Sequence, residues 1–290
     1  MPVSRKILIR VIGAPLLVAA LCGILYWNHT GGTGAPLRFL LLVVGVISLH
    51  EVYAMCAVKG IATATWMGRL SLAVRFLPST GLVFGIGGLE VSTLSWIPTL
   101  FPIYLLLKLV FRYGRFTPEG AGLSYFGYVY IGLLSYALLA PPPFQNHAYW
   151  LLFLLAAGKG SDMAAFVAGK SIGKHPMSPV VSPNKTWEGG IAGGIVGTAL
   201  GMVVLLSTPL HGTFGRFPVV ALLLFALLVT IVSQVGDLVK SAFKRWAGVK
   251  DSGRVLPEFG GMLDMVDSFI LSAPVAWYGF LLLQHLFKGA

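Results

Sequence analysis

Residues 233–268 read SQVGDLVKSAFKRWAGVKDSGRVLPEFGGMLDMVDS, and they hold five of the ten acidic side chains of the whole chain. Apolar runs lie on both sides, so these charges begin inside one greasy segment and end at the start of another. Ionisable groups near a bilayer are costly unless they pair or bind something, which makes a polyvalent ligand the first expectation. Spacing sharpens it. Ser241 and Lys244 follow Asp237 at helical intervals, so one face of a helix end presents a carboxylate, a hydroxyl and an ammonium. Asp264 and Asp267 share a face of the next apolar segment, and Gly260-Gly261 just before them lets backbone approach a ligand closely. Three carboxylates with no His or Cys partner form a hard oxygen site, suited to Mg²⁺ or Mn²⁺ rather than zinc. Lys244, Arg245 and Lys250 are placed to oppose the phosphates of a metal-bound nucleotide. The plainer alternative is salt bridging within and between helices.

Outward from this stretch the chain is mostly apolar. Of 290 residues 56% are hydrophobic and only 11% charged, with a mean hydropathy of +0.83; an ordinary soluble domain carries about 25% charged residues. Long apolar runs separated by short polar gaps indicate helices rather than a membrane barrel. The expected fold is an all-α, polytopic transmembrane bundle of about nine spans, at 7–27, 37–57, 70–88, 92–110, 121–140, 147–169, 189–207, 217–239 and 267–286. N-terminal helices fill 1–120, and 121–290 forms a catalytic region with polar loops at 170–188 and 240–266. The third span is the weakest, because it contains Arg75 and Pro78 and its glycine-rich end could be re-entrant. PPPFQNH at 141–147 reads as an external turn.

Basic residues orient this scheme. Arg5, Lys6, Arg10, Lys59, Arg69, Lys108, Arg112, Arg115, Lys170, Lys174, Lys185 and the five cations of 240–254 fall on one side. Only Arg38, Arg216 and Lys288 fall on the other, with Arg75 and Lys159 inside spans. The N-terminus and both polar loops are therefore expected on the cytoplasmic face of the inner membrane. The net charge of +11 is accounted for by this bias and by anionic headgroups, so nucleic acid is not an expected partner. Cys22 and Cys56 lie in apolar runs and read as small core residues.

Two apparent motifs fail. His50-Glu51 begins like a zincin helix, but Ala54 stands where the second histidine would be. Gly169-Lys170-Ser171 ends like a phosphate-binding loop without the earlier glycine or a preceding strand. The glycine runs at 81–88 and 189–197 are explained by close helix packing through small residues. Glu51 reads as a buried carboxyl bonded to a neighbouring helix. From Asp162 to Glu188 the chain combines Lys170, Lys174, Lys185, Ser182 and Thr186 with Pro176, Pro179 and Pro183. Cations and hydroxyls on a stiffened loop suit phosphate oxygens, although a solvated basic loop explains them equally well. Asp162 could pair with Lys159.

At these residues the chain resembles the phosphatidate cytidylyltransferases, also called CDP-diacylglycerol synthases. Ser241, Lys244, Arg245, Lys250, Asp251, Pro257, Gly260, Gly261, Asp264 and Asp267 match one family pattern. Ser182, Pro183, Lys185, Thr186, Trp187, Glu188 and Gly189 match another. Glu258, Phe259 and Met265 depart from the commonest family form, which has Gly, His and Arg there. The resemblance implies cytidylyl transfer from CTP to phosphatidate at the membrane, with Asp237, Asp264 and Asp267 holding Mg²⁺ or Mn²⁺ and room for a second cation. It implies Lys185, Lys244, Arg245 and Asp264 as catalytic, and Ser182, Thr186, Ser241, Lys250 and Asp251 as substrate contacts. A homodimer is also open. Other classes stay in view: an ion-coupled transporter using Glu51, Lys159 and Asp162, a homologue acting on another lipid phosphate, and a CDP-alcohol phosphotransferase, whose aspartate pattern is missing here.

Overall fold

Inside a bilayer a segment must satisfy its own backbone polar groups, and a run of apolar residues does so as a helix. The computed structural model describes residue 23 and residues 35–76, 83–86, 89–138, 147–253 and 260–287. The expected span at 7–27, Cys22, Pro78, the turn residues 141–146 and the family departures Glu258 and Phe259 lie outside the described residues. In chain order the elements are α1 (Ala35–Val58), α2 (Thr65–Arg75), β1 (Val83–Ile86), β2 (Leu89–Ser92), α3 (Thr93–Phe111) and α4 (Pro118–Gly132). A 3₁₀ turn (Leu133–Leu138) leads to α5 (His147–Ile172), β3 (Pro176–Ser178), β4 (Ser182–Thr186), α6 (Trp187–Ser207), a short α7 (His211–Phe214), α8 (Val219–Ala247) and α9 (Met262–Leu286).

Five of these helices, α1, α5, α6, α8 and α9, are long and apolar enough to cross a membrane. They coincide with the expected spans at 37–57, 147–169, 189–207, 217–239 and 267–286, and the chain is largely helical. The third expected span is different. Helix α2 has 11 residues, about half of what a bilayer requires, and the glycine-rich run beyond it enters a hairpin in which β1 pairs antiparallel with β2. Arg75 at the end of α2 donates from Nε to the Gly132 carbonyl (3.1 Å) and to Ser135 Oγ (2.9 Å), which fixes the helix end against α4 and the 3₁₀ turn. Residues 83–86 of the glycine run are therefore a strand and not part of a packed helix. A second hairpin, β3 with β4, stands in the polar loop after α5, so the all-α bundle carries two small two-stranded sheets.

The glycines of 189–197 do serve helix packing. Gly189, Gly193 and Gly197 recur every four residues on one face of α6, against α5. A Cβ at these positions would lie 2.7, 2.7 and 2.5 Å from the carbonyl oxygens of Ala165, Ser161 and Ala157. Backbone so close can be approached only by a residue without a side chain. Gly236 does the same for α8 against α9, where a Cβ would stand 2.6 Å from the Asp267 carbonyl oxygen. An aromatic cluster of Trp150, Phe153, Phe214, Phe225 and Phe280, stacked or tilted at 5.3–6.2 Å, fills the far end of the same bundle.

These contacts give a paired test. Gly193→Ala should destabilise by about 1–3 kcal/mol through overpacking, read as a lower melting temperature in detergent. Gly194→Ala, where a Cβ meets nothing within 4 Å, should leave the melting temperature nearly unchanged.

Candidate active site

Helix α8 is 29 residues long, about 44 Å at ~1.5 Å per residue, whereas the hydrocarbon layer is about 30 Å thick. Its apolar part, as far as Leu238, is long enough to match that thickness, and the remaining turns carry Lys240, Lys244 and Arg245. The helix stops at Gly248, whose φ of 74° is the left-handed geometry that glycine adopts without strain. The expected loop at 240–266 is thus much shorter: 240–247 continue α8 and 262–266 begin α9. One turn at each end of that loop brings the acids together.

The centre of the site is Lys240. It is 6% exposed, one helical turn from Asp237, and its Nζ lies 2.8 Å from Asp237 Oδ1 and 3.1 Å from Asp264 Oδ1. It also donates to Asp267 Oδ2. Each of these aspartates has a second lysine. Lys185 Nζ is 2.7 Å from Asp237 Oδ2, Lys244 Nζ is 2.8 Å from Asp264 Oδ1, and Lys159 Nζ is 3.1 Å from Asp267 Oδ1. Lys159 also meets Asp162 at 3.3 Å, one turn along α5. Lysines 159, 185, 240 and 244 thus balance aspartates 162, 237, 264 and 267 charge for charge, the arrangement that buried ions need.

All of these side chains but Lys244 border a cavity of about 310 Å³, whose walls include Lys159, Asp162, Lys185, Thr186, Asp237, Lys240, Asp264 and Asp267; Lys244 stands behind Asp264. Lys185 reaches it from β4, and Thr186 caps the N-terminus of α6 by accepting from the Gly189 amide at 3.2 Å. Gln234 fastens α8 to its neighbours, donating to Ser161 Oγ at 2.9 Å and to the Gly190 carbonyl at 3.0 Å. Gln234, Met177 and Gly190 also border a larger groove of about 930 Å³ between α6 and α8, walled by Ile191, Ile195, Leu223, Leu227 and Ile231. A polar chamber and an apolar groove therefore meet at three residues.

The floor is held from the other half of the chain. Glu51 on α1, 2% exposed, accepts from the amides of Met262 and Leu263 at 2.9 Å each and from Ser252 Oγ at 3.0 Å. It is the capping group of α9, supplying negative charge to a helix N-terminus from 211 residues away. Ser252 Oγ also lies 2.9 Å from Asp264 Oδ2, so the cap and the site share a hydroxyl.

Of the residues expected from sequence, Lys185, Thr186, Asp237, Lys244, Asp264 and Asp267 come together. Ser182 and Ser241 are half-buried and do not border the cavity. Arg245 is exposed, and its Nε donates to the Val181 carbonyl at 3.2 Å, tying α8 to the hairpin that carries Lys185. Lys250 and Asp251 are exposed on the turn after α8. Sequence reading missed Lys240, counted there among orienting cations; the signal was its place one turn after Asp237. It also missed Gln234 and the target of Glu51. His50 is exposed and contacts Arg69.

The donor set around Lys240 is oxygen only, which fits a hard divalent cation in kind. Among the described residues no three metal-ligating side chains form a ready cage, and the ammonium of Lys240 stands at the point where the three carboxylates converge.

Several known proteins are similar to this chain over much of its length. A phosphatidate cytidylyltransferase of Bacillus subtilis (strain 168) is 32% identical over 247 residues, covering 84% of this chain and 88% of its own. One from Brucella suis biovar 1 (strain 1330) is 34% identical over 254 residues, with 87% and 86% covered. The uncharacterized protein YnbB of Escherichia coli (strain K12) is 43% identical over 136 residues, covering 46% of this chain and 43% of its own. The model of the cytidylyltransferase family matches residues 8–283. That match takes in all four lysines and all four aspartates of the ion-pair cluster, together with the glutamate that caps its floor, and the chain belongs to the cytidylyltransferase family.

Proposed function

We propose that the chain transfers a cytidylyl group from CTP to phosphatidate, forming CDP-diacylglycerol and pyrophosphate. The observation that carries this reading is the junction of a lysine-rich chamber at the membrane boundary with an apolar groove between α6 and α8. A phosphate headgroup and its hydrocarbon tails need those two environments side by side.

In the reaction an anionic phosphate oxygen of phosphatidate attacks the α-phosphorus of CTP. The bond from that phosphorus to the bridging oxygen of the β-phosphate breaks, and pyrophosphate leaves with the electron pair. The nucleophile is already deprotonated, so no general base is required, and acceleration comes from positioning and charge stabilisation. Lys185, held at the cavity by Asp237, neutralises charge gathering on the phosphates, and Lys244 adds its charge from behind Asp264. Arg245 holds the hairpin of Lys185 in place through Val181. Asp237, Asp264 and Asp267 would hold Mg²⁺ or Mn²⁺, which supplies Lewis-acid charge to a triphosphate. The excess of cations at this end of the spans supports a cytoplasmic active site in the inner membrane.

Purified protein with labelled CTP, phosphatidate and Mg²⁺ should yield a labelled lipid; well-folded protein that yields none overturns the assignment. Asp264→Asn should lower the rate about 10²-fold or more, and full retention of Mg²⁺-dependent turnover would sink the metal role given to Asp264. Glu51→Ala leaves two helix-terminal amides and Ser252 without their acceptor. It should cost about 2–4 kcal/mol of stability, as charged hydrogen bonds in buried sites do, and a thermal melt would register it.

A further inference from the structure

Lys240 has all three of its ammonium donors engaged, one on each of Asp237, Asp264 and Asp267. It therefore occupies the convergence point that a divalent cation would need. With Lys240 there, the four lysines and four aspartates of the ion-pair cluster sum to zero charge. A bare divalent ion entering this neutral cluster would make it doubly positive and would meet an ammonium within bonding reach of the same oxygens. A divalent ion arriving on a triphosphate brings net negative charge instead, and its phosphate oxygens give the ammonium new acceptors. Lys240 borders the cavity and has a flexible four-carbon stem, so its head can exchange carboxylate oxygens for phosphate oxygens without helix movement.

We infer that Lys240 is a resident counter-ion at the point where the three carboxylates converge, so that the divalent ion binds with the nucleotide and not before it. This rests on the reading that the three aspartates take Mg²⁺ or Mn²⁺ with CTP. It assigns Lys240 two successive partners: the aspartates in the resting protein and the nucleotide phosphates in the loaded one.

Full-length protein in detergent can be titrated with Mn²⁺, following the free ion by electron paramagnetic resonance, with and without CTP and with no lipid acceptor present. Wild type should bind Mn²⁺ at least about tenfold more tightly with CTP than without, beyond the affinity of CTP itself for the ion. Lys240→Met should bind Mn²⁺ at least about tenfold more tightly than wild type without CTP, because a like charge has left the site. Lys240→Arg, which keeps the charge, should show no such gain. Equal Mn²⁺ affinity in wild type with and without CTP overturns the inference, and this measurement does not depend on any variant folding. Unchanged affinity in folded Lys240→Met overturns it as well. If neither protein binds Mn²⁺ under any condition, the metal reading of the aspartates falls and the inference falls with it.

Discussion

Everything in the charged end of this molecule depends on one ammonium, that of Lys240, shared among three carboxylates. Asp237 on α8 and Asp264 and Asp267 on α9 would repel one another strongly at the edge of a low-dielectric layer. Lys240 lets them approach, and Lys159, Lys185 and Lys244 complete the neutralisation from outside. Removing one partner from such a cluster costs more than the pair itself contributes, because a charge is left buried and unpaired. The helices supply the complementary steric condition. Gly236 and the glycine row of α6 let backbone meet backbone, so that three helices and a hairpin can converge on a chamber of a few hundred cubic ångströms.

A network this complete is poised rather than inert. Each lysine is held where an anion with several charges would find it, and each is held by a group that a cation could take over. Phosphoryl and nucleotidyl transfer need this exchange of partners more than they need acid–base chemistry. The apolar groove beside the chamber adds a second solvent, and the two share Gln234, Gly190 and Met177. A substrate that is half salt and half oil is thereby met by matching surfaces within one molecule.

Much of this was readable in the residues. The long apolar runs at α1, α5, α6, α8 and α9 have only one backbone solution in lipid, and the structure follows them. That Asp264 and Asp267 share one helical face, and that Asp237 sits at the end of another helix, followed from spacing alone. What was not readable depended on distant partners. Arg75 looked like a flaw inside a third span, yet its carbonyl and hydroxyl acceptors lie in Gly132 and Ser135, and α2 ends there. Lys240 looked like one more orienting cation, since only the placement of α9 shows that it faces inward. The polar loop at 240–266 looked long because charges were taken to end a helix, whereas α8 simply outruns the membrane.

Glu51 has a consequence for the order in which the molecule is made. Its acceptors wait for amides at Met262 and Leu263, which leave the ribosome more than 200 residues after it. Through most of synthesis this carboxylate sits on an early helix with no partner, and closing so long a loop is slow compared with forming any neighbouring pair. A helix inserted more than 200 residues later is thus the one that satisfies the buried Glu51 carboxylate. Assembly of the charged chamber and relief of that early acid become a single late event, which couples the birth of the site to the insertion of α9.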